Sequence, residues 1–337
     1  MEILFENIGE QKFRAEQMFN FLHKNHGTKI QDITVFSKKL KDKLESMAEI
    51  NEMKIYKRFD SKIDSTKKYL FLLEDNNIIE GVLMEYTHGL TACISTQVGC
   101  RMGCSFCAST KEGLIRNLSQ AEMVNQIYTI EEDLNCNINN IVLMGSGEPL
   151  DNYENLIKFL KIIHHEKGKN LSYRSITLST CGVVPKIYLL ADEGIPINLS
   201  ISLHSPFDHI REKIMPIGKK YLVEDIIKAC KYYYNKTGRR ITMEYTVIDG
   251  INNREEDLKE LIKILKDLNC HINLIPLNPI KEYDKKRPSI SNIEEFQYKL
   301  NNSGINTTIR REMGSDVNAS CGQLRRRYTN DGDKIIQ

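Results

Sequence analysis

The stretch Gly99 to Ser109, GCRMGCSFCAS, sets Cys100, Cys104 and Cys107 in a C-x3-C-x2-C spacing. Thiols this close in one loop are suited to holding a soft metal centre, because the thiolate is both nucleophile and ligand. Three readings compete. An inert buried thiol cluster is the bland one, and three such residues at short intervals in a loop argue against it. A structural zinc site usually takes four ligands, commonly in C-x2-4-C pairs, and no fourth stands beside these three. An iron–sulfur cluster accepts thiolates from a tight loop of this sort, and Gly99 and Gly103 let the backbone fold around a bulky body. With three thiolates on four irons, one iron is left open for a substrate.

Such a loop needs a scaffold. From residue 91 onward, strand candidates alternate with helical segments: TACISTQV, NNIVLMG, SITLST, INLSISLH, RITMEYTVI and HINLIPLN. Most are nearly continuous apolar runs, as in a parallel sheet covered on both faces. A helix begins at Ser119, with Glu122 three residues on as a capping box. A weaker seventh strand, INTTIRR, precedes the tail. Six β/α units suit an incomplete (β/α)6 barrel; a doubly wound sheet is the runner-up. Either way the chemistry lies at the carboxyl ends of the strands, where the triplet follows the first one. Before this, residues 10–48 show helix-like spacing of Phe13, Met18, Phe19, Leu22, Leu40, Leu44 and Met47. KYLFLLEDNNIIEGVLMEY reads as a hairpin around EDNN. The expected division is 1–50 helical, 51–90 a short β-extension, 91–311 the α/β barrel and 312–337 a tail.

The 337 residues suffice for a sizeable core, and 41% hydrophobic with 27% charged residues is an ordinary globular balance. No run approaches the length of a membrane span, and MEILFENIGEQKF lacks the regions of a signal peptide. A cytoplasmic protein is expected, so its nine cysteines read as thiols, ligands or catalysts rather than structural disulfides. The net charge of +2 neither demands nor excludes a nucleic acid, which would have to meet local basic patches. Candidates are Ser37–Leu44, Arg310 with Arg311, and Arg325 to Arg327.

A C-x3-C-x2-C loop after the first strand of a β/α barrel resembles the radical S-adenosylmethionine (SAM) superfamily, in which the open iron chelates SAM. Four segments at the strand ends then read as the SAM cradle: VLMGSGEPLDN with Gly145, Gly147 and Glu148, LSTCG with Ser179, SISLHSP with Ser202, Leu203 and His204, and LIPLNP with Asn278. Each alone is ordinary turn chemistry; four at one rim are harder to dismiss. The runs CISTQVGCRMGCSFCAST, GLIRNLSQAEMVNQI and RREMGSDVNASCGQLRRRY, with the N-terminal FRAEQMFNFLHK, resemble the RlmN/Cfr family of RNA adenine methyltransferases. GEPLDN, LSTCGVVPK and the C-terminal run are similar to its carbon-2 branch, the carbon-8 branch being the alternative. A non-catalytic RNA-binding protein with a structural metal is the alternative from another class.

The resemblance implies one 4Fe–4S cluster on Cys100, Cys104 and Cys107, and SAM held by Gly147, Glu148, Ser179, Ser202, Leu203, His204 and Asn278. It implies Cys321, in NASCGQL, as a cysteine that becomes S-methylated, Cys93 as its partner in a transient disulfide, and Glu80 as proton acceptor. Carbon 2 of adenine is electron-poor and cannot attack a methyl electrophile, so a protein nucleophile and a radical would have to act together. The implied partners are 23S rRNA, tRNA and an electron donor such as flavodoxin or ferredoxin, with the enzyme a monomer. Cys136, Cys230 and Cys270 read as core thiols, and Cys181 has no assigned role.

Overall fold

The structure is a computed structural model describing residues 1–324 and the backbone of Arg327–Tyr328. Arg325 and Arg326, and the rest of the tail, lie outside the described residues, so those basic positions are not placed.

The N-terminal stretch expected to be helical is three short helices, α1 (Glu2–Asn7), α2 (Lys12–His23) and α3 (Lys38–Glu45), joined by a turn of 3-10 helix at Ile30–Asp32. Their small core gathers Phe5, Ala15, Met18, Leu40 and Leu44. Phe13 and Met47, counted in the helical periodicity, stay about half exposed at 45% and 52%. In α3 the lysines of the basic run KKLKDKL surround a stripe of only two buried leucines, and Ser37 caps its first turn.

The next three strands are β1 (Lys54–Asp60), β2 (Lys67–Leu72) and β3 (Asn77–Tyr86), all antiparallel, with the expected turn between β2 and β3. They are no separate appendage. β3 pairs antiparallel with β4 (Gly89–Cys93), the first barrel strand, so hairpin and barrel share one sheet. A two-stranded ribbon, β5 (Gln97–Gly99) with β6 (Leu114–Asn117), brackets the cysteine loop. The barrel continues as α4 (Gln120–Leu134), β7 (Asn140–Leu143), α5 (Tyr153–His164), β8 (Ile176–Thr180), α6 (Val184–Asp192), β9 (Asn198–Ser202), α7 (Asp208–Ile214), α8 (Val223–Thr237), β10 (Ile241–Val247), α9 (Glu255–Leu265), β11 (Cys270–Pro276), α10 (Ile290–Asn302) and β12 (Thr307–Ile309). β4, β7, β8, β9, β10, β11 and β12 pair in that order, all parallel. The six expected strands and the weak seventh are present, and the Ser119–Glu122 capping box forms. A short β13 (Arg327–Tyr328) pairs antiparallel with Asn77 and Ile78 of β3.

The barrel strands are apolar on one side only. Ile141, Leu178, Leu199, Ile201, Met243 and Leu274 pack outward against the helices in the main core, each buried side chain contributing about 1.5–3 kcal/mol. The alternate positions face inward and are largely polar: Thr91, Thr177, Ser200, Thr242, Glu244 and Asn273 line the lumen. The expectation of strands apolar on both faces is therefore corrected. The apolar runs are interrupted at every second residue because the inward positions line a cavity with polar side chains rather than a packed apolar core. Among the described residues no helix is long and apolar enough to cross a membrane.

Candidate active site

A cavity opens at the carboxyl ends of the strands. Cys100, Cys104 and Cys107 line it together with Gly147, Glu148, Ser179, Ser202, His204, Asn278 and Cys321. Nine of the ten positions expected to hold cluster or SAM are thus in one wall. The tenth, Leu203, is fully buried in the main core; only its backbone belongs to the rim, donating to Glu244 O at 3.1 Å.

The cysteine loop is fixed from both sides. Cys100 N donates to Gly113 O at 3.0 Å and Cys107 N to Cys104 O at 3.1 Å. The Thr110 hydroxyl donates to the carbonyls of Cys104 and Cys107. Gly103 takes φ +71°, which turns the chain between the first two thiols. Burial pushes the thiols of Cys100, Cys104 and Cys107 up, Cys100 to about 12, and the neighbouring thiols raise them further. Three thiols so placed gain from a cationic centre that takes them as thiolates. Among the described residues, however, no three Cys, His, Asp or Glu side chains converge as a single metal ion requires. Three cysteines from one tight loop fit an iron–sulfur cluster better than a structural zinc site, which usually takes four protein ligands.

Around the rest of the rim, Gly147, Glu148, His204 and Asn278 each make defined contacts. Gly147 has φ +108°, and a Cβ there would stand 2.6 Å from the Gln97 side chain, so only glycine lets this loop approach the cysteine ribbon. Glu148 is buried, and burial raises its carboxyl. Opposing that, its oxygens accept from Leu150 N at 3.0 Å and Cys181 N at 2.7 Å, which locks the end of β7 to the end of β8. The side chains of Thr180 and Cys181 also hydrogen-bond to the carboxylate. His204 is buried at φ +55°, with its imidazole pushed down to about 3 by burial and then by the Arg211 charge. Its Nδ1 accepts from Thr246 N at 2.8 Å, so Nε2 carries the proton and is the nitrogen free to donate. Asn278 Nδ2 donates to Cys321 O at 2.9 Å.

The tail is threaded against the cysteine loop. Ala108 N donates to Gly322 O at 2.7 Å and the Ser109 hydroxyl to Leu324 O at 2.7 Å. Cys321 consequently lines a second, adjoining cavity as well, in company with Cys93, Val82, Met84 and Met313. Both thiols are free. Burial and then the nearby Cys321 push the Cys93 thiol up to about 12. Glu80, by contrast, lines neither cavity. It is fully buried on the cavity-facing side of β3, two residues from Val82, with its carboxylate 3.0 Å from Lys68 Nζ.

Arg310 departs from the expectation of an exposed phosphate contact. Its guanidinium is 21% exposed, 3.5 Å from Glu244, and lines both cavities beside Cys321. The proximity of Cys321 and then of Glu244 raises it further, so it is a permanent cation in the site. Sequence reasoning missed Glu244, Met144 and this role of Arg310. One signal was present: the lone carboxylate inside the apolar run RITMEYTVI has to face a polar interior.

Comparison with known proteins agrees with this geometry. Residues 94–268 match the radical SAM superfamily, and residues 1–50 match the ribosomal RNA large subunit methyltransferase N-terminal domain. A probable dual-specificity RNA methyltransferase RlmN of Alkaliphilus oremlandii is 56% identical over 97% of this chain and 95% of its own. The chain belongs to the RlmN family of radical SAM methyltransferases. A second relative of the same description, from Lachnoclostridium phytofermentans, is 52% identical over 96% of this chain and 90% of its own. A radical SAM methyltransferase from Sphaerobacter thermophilus has the same fold with a TM-score of 0.90 and 38% identity, each chain covered to 96%. The protein is therefore an enzyme whose family uses a 4Fe–4S cluster and SAM.

Proposed function

We propose that this RlmN-family enzyme methylates carbon 2 of an adenosine in the peptidyl transferase centre of 23S rRNA and of an adenosine next to the tRNA anticodon. The observation that carries the reading is the double exposure of Cys321, which faces the cysteine loop through one cavity and Cys93 through the other. The relatives described as dual-specificity RNA methyltransferases support the choice of two RNA substrates.

When bound by Cys100, Cys104 and Cys107 and by the rim from Gly147 to Asn278, the cluster with SAM supplies a methyl group and, from a second SAM, a 5′-deoxyadenosyl radical. Cys321 accepts the methyl as a thiolate, beside the fixed positive charge of Arg310. Its S-methyl group then gives up a hydrogen atom, and the S–CH2 radical adds to the electron-poor ring carbon. Glu80 takes the proton from carbon 2. The adduct's unpaired electron would return to the bound cluster, the sulfur of Cys93 then displaces the methylene carbon from the Cys321 sulfur to form a disulfide, the released carbon takes a proton to become the methyl group, and a cellular reductant reopens the disulfide. The target base has to leave its stack to present that carbon. Cluster reduction falls to a small electron carrier such as flavodoxin or ferredoxin, and we take the enzyme to act as a cytoplasmic monomer.

The test is nucleoside mass spectrometry of 23S rRNA and tRNA after incubation with cluster-loaded enzyme and SAM. The expected product is 2-methyladenosine in both RNAs, absent with Cys321→Ala, which keeps its cluster. 8-Methyladenosine would move the enzyme to the carbon-8 branch. Methylation by Cys321→Ala would remove the carrier role.

A further inference from the structure

Lys68 is almost fully buried, at 2% exposure, in a sheet strand away from bulk solvent. A buried ion pair is commonly replaceable by apolar residues without loss of stability, so its presence calls for a reason other than stability. Its surroundings supply one. Lys68 stands directly opposite Val82 across the β2–β3 pair, while Glu80 lies opposite Leu70, one step farther from the cavity. Diagonal neighbours of this kind are about 7–8 Å apart at their α carbons, within reach of a long side chain. Lys68 Nζ lies 3.0 Å from Glu80 Oε2 and donates to Asn318 O at 3.0 Å. Val82 forms part of the wall shared by Cys93 and Cys321. The ammonium is thus rooted at the cavity end of the pair, and it binds two things at once: the Glu80 carboxylate and the loop three residues before Cys321.

The rest of that loop is docked on the β1–β2 turn. Gly314 N donates to Asp64 at 2.9 Å, and Asp316 accepts from the Ser61 hydroxyl at 2.7 Å and from Lys62 N at 2.8 Å. The Asp316 contacts are exposed and the Gly314 contact is part-buried. Lys68 alone among them reaches the loop from inside the sheet, next to the thiol it must place.

We propose that Lys68 is a positioning residue that draws the Glu80 carboxylate toward the methyl-transfer cavity and holds the loop of Cys321 in register with it. The proposal rests on the reading of Glu80 as proton acceptor. It implies a division of labour by step. Methyl transfer to Cys321 needs the thiol and SAM, and tolerates the loss of Lys68. Proton removal from the RNA adduct needs Glu80 correctly aimed, and does not.

Cluster-loaded full chains of the wild type, Lys68→Met, Lys68→Arg and Glu80→Gln, incubated with SAM, reductant and labelled RNA, test this. Lys68→Met should still carry a methyl on Cys321 by peptide mass, yet form methyladenosine roughly 10²-fold more slowly, the penalty of a misplaced reacting group. It should accumulate RNA-linked protein on denaturing gels, as Glu80→Gln does. Lys68→Arg should recover most of the rate. Hydrogen exchange at residues 313–321 should quicken in Lys68→Met and stay unchanged in Glu80→Gln. If Lys68→Met folds poorly around its stranded carboxylate, the double variant Lys68→Met with Glu80→Gln still reports the loop by exchange. Wild-type turnover by Lys68→Met beside an arrested Glu80→Gln, or unchanged exchange in the loop, overturns the proposal. Wild-type turnover by Glu80→Gln instead overturns the reading of Glu80, whatever Lys68→Met does.

Discussion

Two sets of cysteines meet in this site, and they arrive by opposite routes. Cys100, Cys104 and Cys107 come from one loop, where some of the hydrogen bonds span only a few residues, such as Thr110 to Cys104. Cys93 and Cys321 come from the first barrel strand and the tail, and meet because the tail returns over the sheet to β2 and the cysteine loop. The first set has the spacing of a ligand motif and carries its geometry in that spacing. The second is a pair that exists only in the folded chain. A motif of the first kind can fail alone, whereas the pair depends on everything that holds the tail.

The sharpest way to break this contrast is at the loop. Cys104→Ala should abolish cluster assembly and all SAM cleavage, while the circular dichroism of the barrel stays as in the wild type; iron analysis and visible absorption check it. A cluster at normal iron content in this variant would mean that the local motif is not the ligand set. Removing one member of the distant pair should be more selective. Cys93→Ala should keep its cluster, cleave SAM and carry a methyl on Cys321, but stop with RNA covalently attached, seen as a nuclease-sensitive band on denaturing gels. Loss of activity with no such band would reduce Cys93 to a packing residue. The smallest effect concerns its acidity. Because burial and then Cys321 push Cys93 up to about 12, its thiol stays neutral at physiological pH. Its alkylation, followed by peptide mass, should rise about tenfold per pH unit from pH 7 through 10, without the plateau of an ordinary thiol titrating near 8.5. A plateau near pH 9 would place Cys93 in a far more polar setting than the structure gives it.

The same contrast governs what the sequence could reveal. The cysteine loop, the capping box at Ser119 and the strand order of the barrel were legible because each is encoded within a few residues. The rim residues were legible as glycine and polar turn positions; that the Leu203 side chain turns into the core while its neighbours turn out was not. The polar lumen was not seen: in NLSIS and RITMEYTVI, small serines and threonines look like tolerated strand residues rather than one face of a polar interior. Nor was Arg310, whose placement depends on Glu244 sixty-six residues away. Lys68 gave no signal at all, because KKYLFL reads as an exposed basic start to a strand until β3 and the tail close over it.

The docking of the tail on the first hairpin has a consequence for how the molecule is made. Its hydrogen bonds to Ser61, Lys62, Asp64 and Lys68 join residues some 250 positions apart. During synthesis the hairpin, the barrel and the cysteine loop all leave the ribosome before the segment that carries Cys321, and domains generally fold as they emerge. Contacts this distant form late, since a long loop has to close before they contribute. The loop of Cys100, Cys104 and Cys107 therefore spends an interval folded but uncovered, until Gly322 and Leu324 dock across Ala108 and Ser109. A cluster held by this loop would be accessible for loading in that interval, before the segment that carries Cys321 closes over it.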